Sequence, residues 1–152
     1  MKTKILFFVI IFALFSCSSR HISISEPIFL TLKTKKIKFS DTAFLTRSND
    51  KITIDGYYAG KHILSLNIGF MVCLERGCIS KEEFNARFLS HEYYNNMFLD
   101  ILNKRPLRIN QKPEYFEGGF LQQSKSIKYK ITKDTIFFED KTNKILIKIK
   151  NF

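Results

Sequence analysis

The chain has 152 residues, of which 45% are hydrophobic and 14% aromatic, and its formal net charge is +11 at pH 7. This composition excludes an intrinsically disordered chain and a collagen-like repeat, and the length is that of one ordinary domain. In a cytosolic protein, so large an excess of basic residues would suggest a nucleic-acid partner.

The N-terminal segment has the pattern of an export signal. Lys2 and Lys4 precede an unbroken apolar run of eleven residues, Ile5 to Phe15. A membrane-spanning helix needs roughly 20 apolar residues, whereas the core of a signal peptide needs about 7–15. The run therefore predicts a signal peptide.

The residues Leu14-Phe15-Ser16-Cys17 resemble the lipobox of bacterial lipoproteins, and this segment is similar to that of small lipoproteins from Gram-negative bacteria. The resemblance implies that residues 1–16 are removed and that Cys17 carries the lipid, including an acyl chain such as palmitate. Ser18 stands where an aspartate would retain a lipoprotein at the inner membrane, which implies the outer membrane. The alternatives are an ordinary secretory signal with a coincidental cysteine and a retained membrane anchor.

The mature chain is expected to consist of a short tether and one folded domain. Residues 17–27 are mostly small and polar and end at Pro27, so we assign them to a lipidated tether. Residues 28–152 are then a single β-rich globular domain, in which alternating apolar and polar residues predict about nine short strands. The predicted strands are Ile28–Lys33, Lys36–Ser40, Ala43–Arg47, Lys51–Tyr58, His62–Ile68 continued after Gly69 by Phe70–Leu74, Tyr115–Gln122 with a bend at Gly118-Gly119, Ser126–Thr132, Asp134–Glu139 and Ile145–Lys150.

One helical region, about residues 80–104, interrupts the strands. Ser80 and Glu83 have the spacing of a capping box, and apolar residues follow at helical intervals with a break near Ser90-His91. We predict that this helix covers one open end or face of the sheet. The expected fold is mainly β (α+β): a single antiparallel β-barrel or sandwich-like domain with an inserted helical region.

The cysteines agree with export. With Cys17 assigned to lipid, Cys73 and Cys78 remain as a pair, and two neighbouring thiols outside the cytoplasm normally oxidise. Their spacing does not match the redox Cys-x-x-Cys motif or a zinc site. We predict a structural disulfide.

The sequence contains few catalytic patterns. His91-Glu92 begins like a zinc-protease helix, but Asn95 occupies the position of the second histidine. His62 is expected in a strand and His91 in a helix. We therefore expect no enzyme, cofactor or metal site, although several acids could face one another across a cleft: Asp55, Glu75, Glu92, Asp100 and Glu117.

Charge narrows the class of partner. The expected mature chain has 23 basic and 14 acidic residues, a net charge of +9, and an exported protein meets little nucleic acid. Anionic lipid, anionic glycan or an acidic protein surface are the expected partners, although many lysines alternate with apolar residues as on the solvated face of a strand.

The sequence favours a noncatalytic cell-envelope lipoprotein that binds another envelope protein in an assembly or structural role, facing the periplasm or the cell surface. The alternatives are a small β-barrel carrier of an apolar ligand and, with less support, a redox or hydrolytic envelope enzyme.

Cys17→Ala should release the protein from the membrane without unfolding it, because the lipid and not the domain provides the attachment. Fractionation of the envelope without detergent measures this, with Ser18→Ala as the matched control that keeps the attachment. A Cys17→Ala protein that remains membrane-bound would contradict the lipoprotein prediction.

Overall fold

The computed structural model describes residues 23–152, so the predicted signal peptide and Cys17 lie outside the described residues. Within this range the chain forms eleven antiparallel strands, all in one sheet, and two short helices. The predicted fold class, mainly antiparallel β with an inserted helical region, is confirmed.

The sheet consists of two antiparallel meanders separated by the helical region. The strands of the first meander are β1 (Ile24–Lys33), β2 (Lys38–Arg47), β3 (Ile52–Tyr58), β4 (Lys61–Ile68), β5 (Val72–Leu74) and β6 (Gly77–Ile79). The strands of the second are β7 (Glu114–Phe116), β8 (Gly119–Gln123), β9 (Ile127–Ile131), β10 (Thr135–Asp140) and β11 (Ile145–Asn151).

The two meanders meet where β1 pairs with β11, with Leu30 opposite Ile149 and Leu32 opposite Ile147. The resulting strand order is β6-β5-β4-β3-β2-β1-β11-β10-β9-β8-β7. Because β6 and β7 are the two edges and do not pair with each other in the described chain, the sheet is open and sandwich-like. The barrel alternative is therefore wrong.

Strand residues alternate between a buried inner face and a more exposed outer face. In β11, Ile145, Ile147 and Ile149 are buried while Lys148 and Lys150 are exposed, as the sequence alternation predicted. On the inner face, aromatic rings fill the space over the second meander. Tyr129 lies 5.4 Å from Phe120 and 6.2 Å from Phe138 between ring centroids.

The helical region consists of α1 (Lys81–Phe88) and α2 (Met97–Leu102), joined by irregular backbone. The predicted break near Ser90 is present, because Ser90 forms a turn: its hydroxyl accepts a hydrogen bond from the Glu92 amide at 3.3 Å. His91 lies in this irregular segment, so its predicted place in a helix is wrong. The buried residues Phe84, Phe98 and Ile101 pack into the core, and the helices cover the inner face of the sheet as predicted.

Several predicted boundaries change. Ile24 to Pro27, assigned to the tether, pair with β2 and form the start of β1. Within the described chain this segment has no β11 neighbour, so it lies on an edge, where a strand tolerates a proline. The strands predicted around Ser40 and Ala43 form one continuous β2. The bend at Gly118 is a hairpin turn between β7 and β8, with a φ of 82°, and β6 was not predicted.

Helix α1 begins at the predicted cap. The Ser80 hydroxyl accepts a hydrogen bond from the Glu83 amide at 3.1 Å. The Glu83 carboxylate pairs with Arg87 one turn further along α1, in place of the predicted bond back to the Ser80 amide. Ser80→Ala should therefore lower the free energy of unfolding by about 1 kcal/mol, because the Glu83 amide loses its acceptor.

Urea denaturation measures this loss. Ser80→Asp is the matched variant, since aspartate also accepts at a helix N-terminus, and it should retain most of the stability. Equal denaturation midpoints for Ser80→Ala and the native protein would contradict the role of the cap.

Candidate binding site

A cleft of about 490 Å³ lies between β4, the β5–β6 hairpin and the end of α1. We call it the hairpin groove. Its apolar lining residues are Ile37, Ile63, Leu64, Leu74, Ile79 and Phe88, and its charged lining residues are Glu75, Arg76 and Arg87. The groove thus combines an apolar surface with a rim that carries two cations and one anion.

A disulfide holds one wall of the groove. Cys73 and Cys78 lie directly opposite each other on β5 and β6, and their sulfurs are bonded, which confirms the predicted pairing. Gly77, the first residue of β6 after the turn, has a φ of 134°, a conformation that favours glycine. Since β6 leads directly into the cap residue Ser80, the crosslinked hairpin also fixes where α1 starts.

The other wall is anchored to the core. The Phe88 ring stacks on Phe84 with centroids 5.2 Å apart, and Phe84 is buried and lies 5.5 Å from Phe98. The Lys36 ammonium lies 5.7 Å from the centroid of the Phe88 ring, within the range of a cation–π contact. Phe88 is therefore a fixed aromatic side chain in the groove wall, with a cation over its ring.

The groove lies at a strongly basic end of the sheet. We call this the groove end, defined by the turns β1–β2, β3–β4, β5–β6 and β10–β11. A second cleft there, of about 470 Å³, is lined by Lys33, Thr34, Lys35, Lys38 and Lys144. The four ion pairs found within residues 23–152 include no lysine. These cations are therefore available to an acidic partner.

Buried polar contacts join the helical region to the second meander. The Tyr93 hydroxyl donates to the Asp140 carboxylate at 2.5 Å, and Asp140 is only 2% exposed. Burial and the Asp140 bond raise the pKa of Tyr93 above its ordinary value. Burial opposes ionisation of Asp140, but hydrogen bonds from Asn143 and Tyr93 outweigh it and lower its pKa.

A small cleft of about 230 Å³ opens beside this contact and includes Tyr94 and Arg108. The Tyr94 hydroxyl donates to Asp100 at 2.9 Å, and burial is the main cause that raises the pKa of Tyr94 to about 12. The acids in and beside this cleft therefore accept hydrogen bonds from tyrosines of the helical region. These contacts hold the fold, and neither tyrosine is ionised at neutral pH.

The outer face brings together one serine, one aspartate and one histidine. Ser65 donates to the Asp55 carboxylate at 3.0 Å, and His62 Nε2 lies 3.2 Å from the same oxygen. A catalytic triad needs the histidine between the nucleophile and the acid, whereas here the aspartate lies between. This cluster is a polar ladder across β3 and β4.

The other predicted acids are spread over the described chain. Glu75 lies in the β5–β6 turn, Glu92 in the segment between the helices, Asp100 in α2 and Glu117 in the β7–β8 turn. Within residues 23–152, no group of three or more His, Cys, Asp and Glu side chains is placed to hold a metal ion.

Sequence reasoning missed the groove and the residues that fix the helical region. Gln122 is fully buried and bonds both the amide and the carbonyl of Leu107 at 2.8 Å. Arg47 pairs with Glu26 and donates to the Leu102 carbonyl at 3.1 Å. The sequence did contain a signal for these two residues. Gln122 and Arg47 are polar residues at strand positions where the alternation of apolar and polar residues predicts a side chain on the inner face.

Comparisons with protein-family models, curated protein sequences and solved structures found no match. In the part of the chain that the structure describes, none of the helices has the length and apolar character needed to cross a membrane.

The lowered pKa of Asp140 predicts a loss of stability in acid. The folded state binds its proton less readily than the unfolded state, so the stabilisation is present above the unfolded pKa of about 3.9. It is lost as the pH falls through the lower folded pKa. Asp140→Asn should reduce stability at neutral pH and flatten its decline between about pH 5 and pH 2.

Thermal denaturation across this pH range measures the effect. Glu139→Gln is the matched control, because Glu139 is the adjacent carboxylate on the outer face of β10. Parallel declines for native protein and Asp140→Asn would show that this carboxylate does not govern acid stability.

Proposed function

We propose that the protein is a noncatalytic lipoprotein of the cell envelope, anchored through Cys17, that binds another envelope protein through the hairpin groove. The observation that supports this most directly is an open apolar groove with fixed walls at the basic end of the sheet. The lipobox pattern and the outer-membrane sorting residue Ser18 supply the location in this proposal.

The chemistry of the groove indicates what the partner presents. Ile63 is half exposed at the groove, and Phe88 forms an aromatic surface, so an apolar side chain of the partner can be buried there. Arg76 and the lysine cleft favour acidic residues beside it, whereas Arg87 is already paired with Glu83. We therefore propose an extended partner segment with an apolar anchor flanked by carboxylates.

The edge strand β6 strengthens this proposal. β6 is three residues long and, among the residues that the structure describes, has a neighbour only on the β5 side, so part of its backbone is open to pairing. An extended segment in the groove could add to β6 by main-chain hydrogen bonds while its side chain fills the cleft. The disulfide keeps β6 in position, which reduces the entropy lost on binding.

A carrier of a small apolar ligand is the second candidate. The volume of the hairpin groove, about 490 Å³, falls within the roughly 300–1,000 Å³ of small-molecule sites. The sheet interior cannot serve, because the rings of Tyr93, Tyr129 and Phe138 occupy it. A carrier would therefore use the same groove, and its cargo would need an anionic group to pair with Arg76.

Site-specific photocrosslinking in the native envelope tests the first candidate. A photoreactive phenylalanine analogue at Ile63 should give one discrete protein adduct, and Arg76→Glu should abolish it. The same analogue at Tyr115, an exposed position on the opposite edge strand, is the control. No adduct at Ile63, or the same adduct from both positions, would contradict the proposal.

Native mass spectrometry of the protein from its own envelope separates the two candidates. A protein companion supports the binding role, whereas a bound small apolar molecule without a companion supports the carrier. Circular dichroism of the Arg76→Glu protein should be unchanged, because Arg76 is exposed in a turn.

A further inference from the structure

Three exposed apolar side chains lie at the end of the first meander that is away from the groove. Phe70 is 95% exposed and Met71 40% exposed in the β4–β5 turn, and Ile24 is 67% exposed at the start of β1. We call these three residues the apolar tip. A phenylalanine so exposed on a turn buries almost none of its apolar surface within the described chain.

The strand register places the three residues together. Ile24 pairs with Arg47, Arg47 with Ile52, and Ile52 with Ile68, so Ile24 is level with the end of β4. Phe70 follows two residues beyond Ile68. Three strand spacings of about 4.8 Å separate β1 from β4, so the tip is roughly 14 Å wide.

We infer that the apolar tip inserts into the interface of the bilayer that holds Cys17, so that the domain stands with its hairpin groove directed away from the membrane. This inference rests on the proposed lipid anchor. It adds an orientation and a second point of membrane contact.

The length of the chain before β1 limits the orientation. Seven peptide steps from Cys17 to Ile24 reach at most about 25 Å, even fully extended. The ten residues of β1 extend about 30 Å towards the groove end, at roughly 3.3 Å per residue. If the groove end lay on the bilayer and β1 stood upright, Ile24 would lie about 30 Å above the membrane surface. The tether, which reaches at most about 25 Å, could not then connect Ile24 to a lipid at Cys17.

Two orientations satisfy this limit: tip down, or the domain lying flat on the bilayer. The outer face that would lie flat contains lysines such as Lys128, Lys130 and Lys148. The three residues of the tip are apolar, and the adjacent β2–β3 turn adds the exposed Lys51 and Asp50, whose charges are opposite. Gly69 lies beside that turn, since a β-carbon at this position would be in ordinary van der Waals contact with the Asp50 carbonyl oxygen, at 3.5 Å.

The two orientations differ in salt dependence. Insertion of Phe70 and Met71 removes apolar surface from water and is insensitive to salt, whereas attraction of lysines to anionic lipid is screened. We favour the tip because Phe70 is the most exposed large apolar side chain found among the described residues and lies at the end from which the tether leaves.

Tryptophan fluorescence tests the inference, because the chain contains no tryptophan. Phe70→Trp places a single fluorophore at the tip, and Tyr58→Trp, at a residue 63% exposed at the groove end of β3, is the matched control. Each lipidated protein is reconstituted in vesicles of phosphatidylethanolamine and phosphatidylglycerol, with or without acyl chains that carry bromine quenchers.

The Phe70→Trp protein should show a blue-shifted emission that the brominated lipids quench, and neither effect should change in 0.5 M NaCl. The Tyr58→Trp protein should remain unquenched. An unquenched Phe70→Trp protein, or quenching of either protein that disappears in salt, would overturn the insertion of the tip.

Mass spectrometry of the same samples distinguishes the two proposals. A Cys17 without lipid would refute the anchor. An acylated protein whose Phe70→Trp emission is not quenched would refute the tip alone. If Cys17 is unacylated, the same quenching measurement with excess vesicles still decides whether the tip inserts, because only an inserted tip brings position 70 to the acyl chains.

Discussion

An open sheet with one apolar face needs a cover, and in this protein the cover is a chain segment with little regular structure. The two helices are eight and six residues long, which is too short to satisfy most of the backbone in the segment. Side chains supply the missing partners. Asn85 donates to the Tyr94 carbonyl at 3.0 Å, Tyr129 to that of Ile101 at 3.3 Å, and Gln122 holds both polar groups of Leu107. The hairpin groove depends on these hydrogen bonds, because they hold the helical region in place and the end of α1 forms the second wall of the groove.

Local features of the structure could be predicted from the sequence, and long-range ones could not. Alternation identified most strands, the serine at position 80 identified the start of α1, and the spacing of Cys73 and Cys78 identified the disulfide. The pairing of β1 with β11 has no local signal, because the first meander is a complete series of hairpins without it. The contact between Tyr93 and Asp140 joins residues 47 positions apart, and each residue alone resembles an ordinary surface polar group. The lipid anchor at Cys17 remains a prediction.

The arrangement separates two kinds of surface along the strands of the first meander. One end has apolar side chains with little net charge, and the other has the groove, the crosslinked hairpin and the lysine cleft. A lipid surface favours the first, and an acidic protein segment favours the second. Because β1 and β2 each have ten residues and extend about 30 Å between these ends, contact with one surface leaves the other free.

The junction of β1 with β11 has a consequence for the newly made chain. Ile28 pairs with Asn151. Of the described strands, β1 therefore leaves the ribosome first but cannot complete its pairing until β11, the last strand, has been made. Until then the β1 edge has six residues without their β11 partners, beside an apolar inner face that the helical segment only partly covers. Such an edge can pair with another chain. A chain that stops before β11 would therefore keep the complete first meander with an unpaired β1 edge. Aggregation of the truncated product, more than its loss of binding, would be the first defect seen.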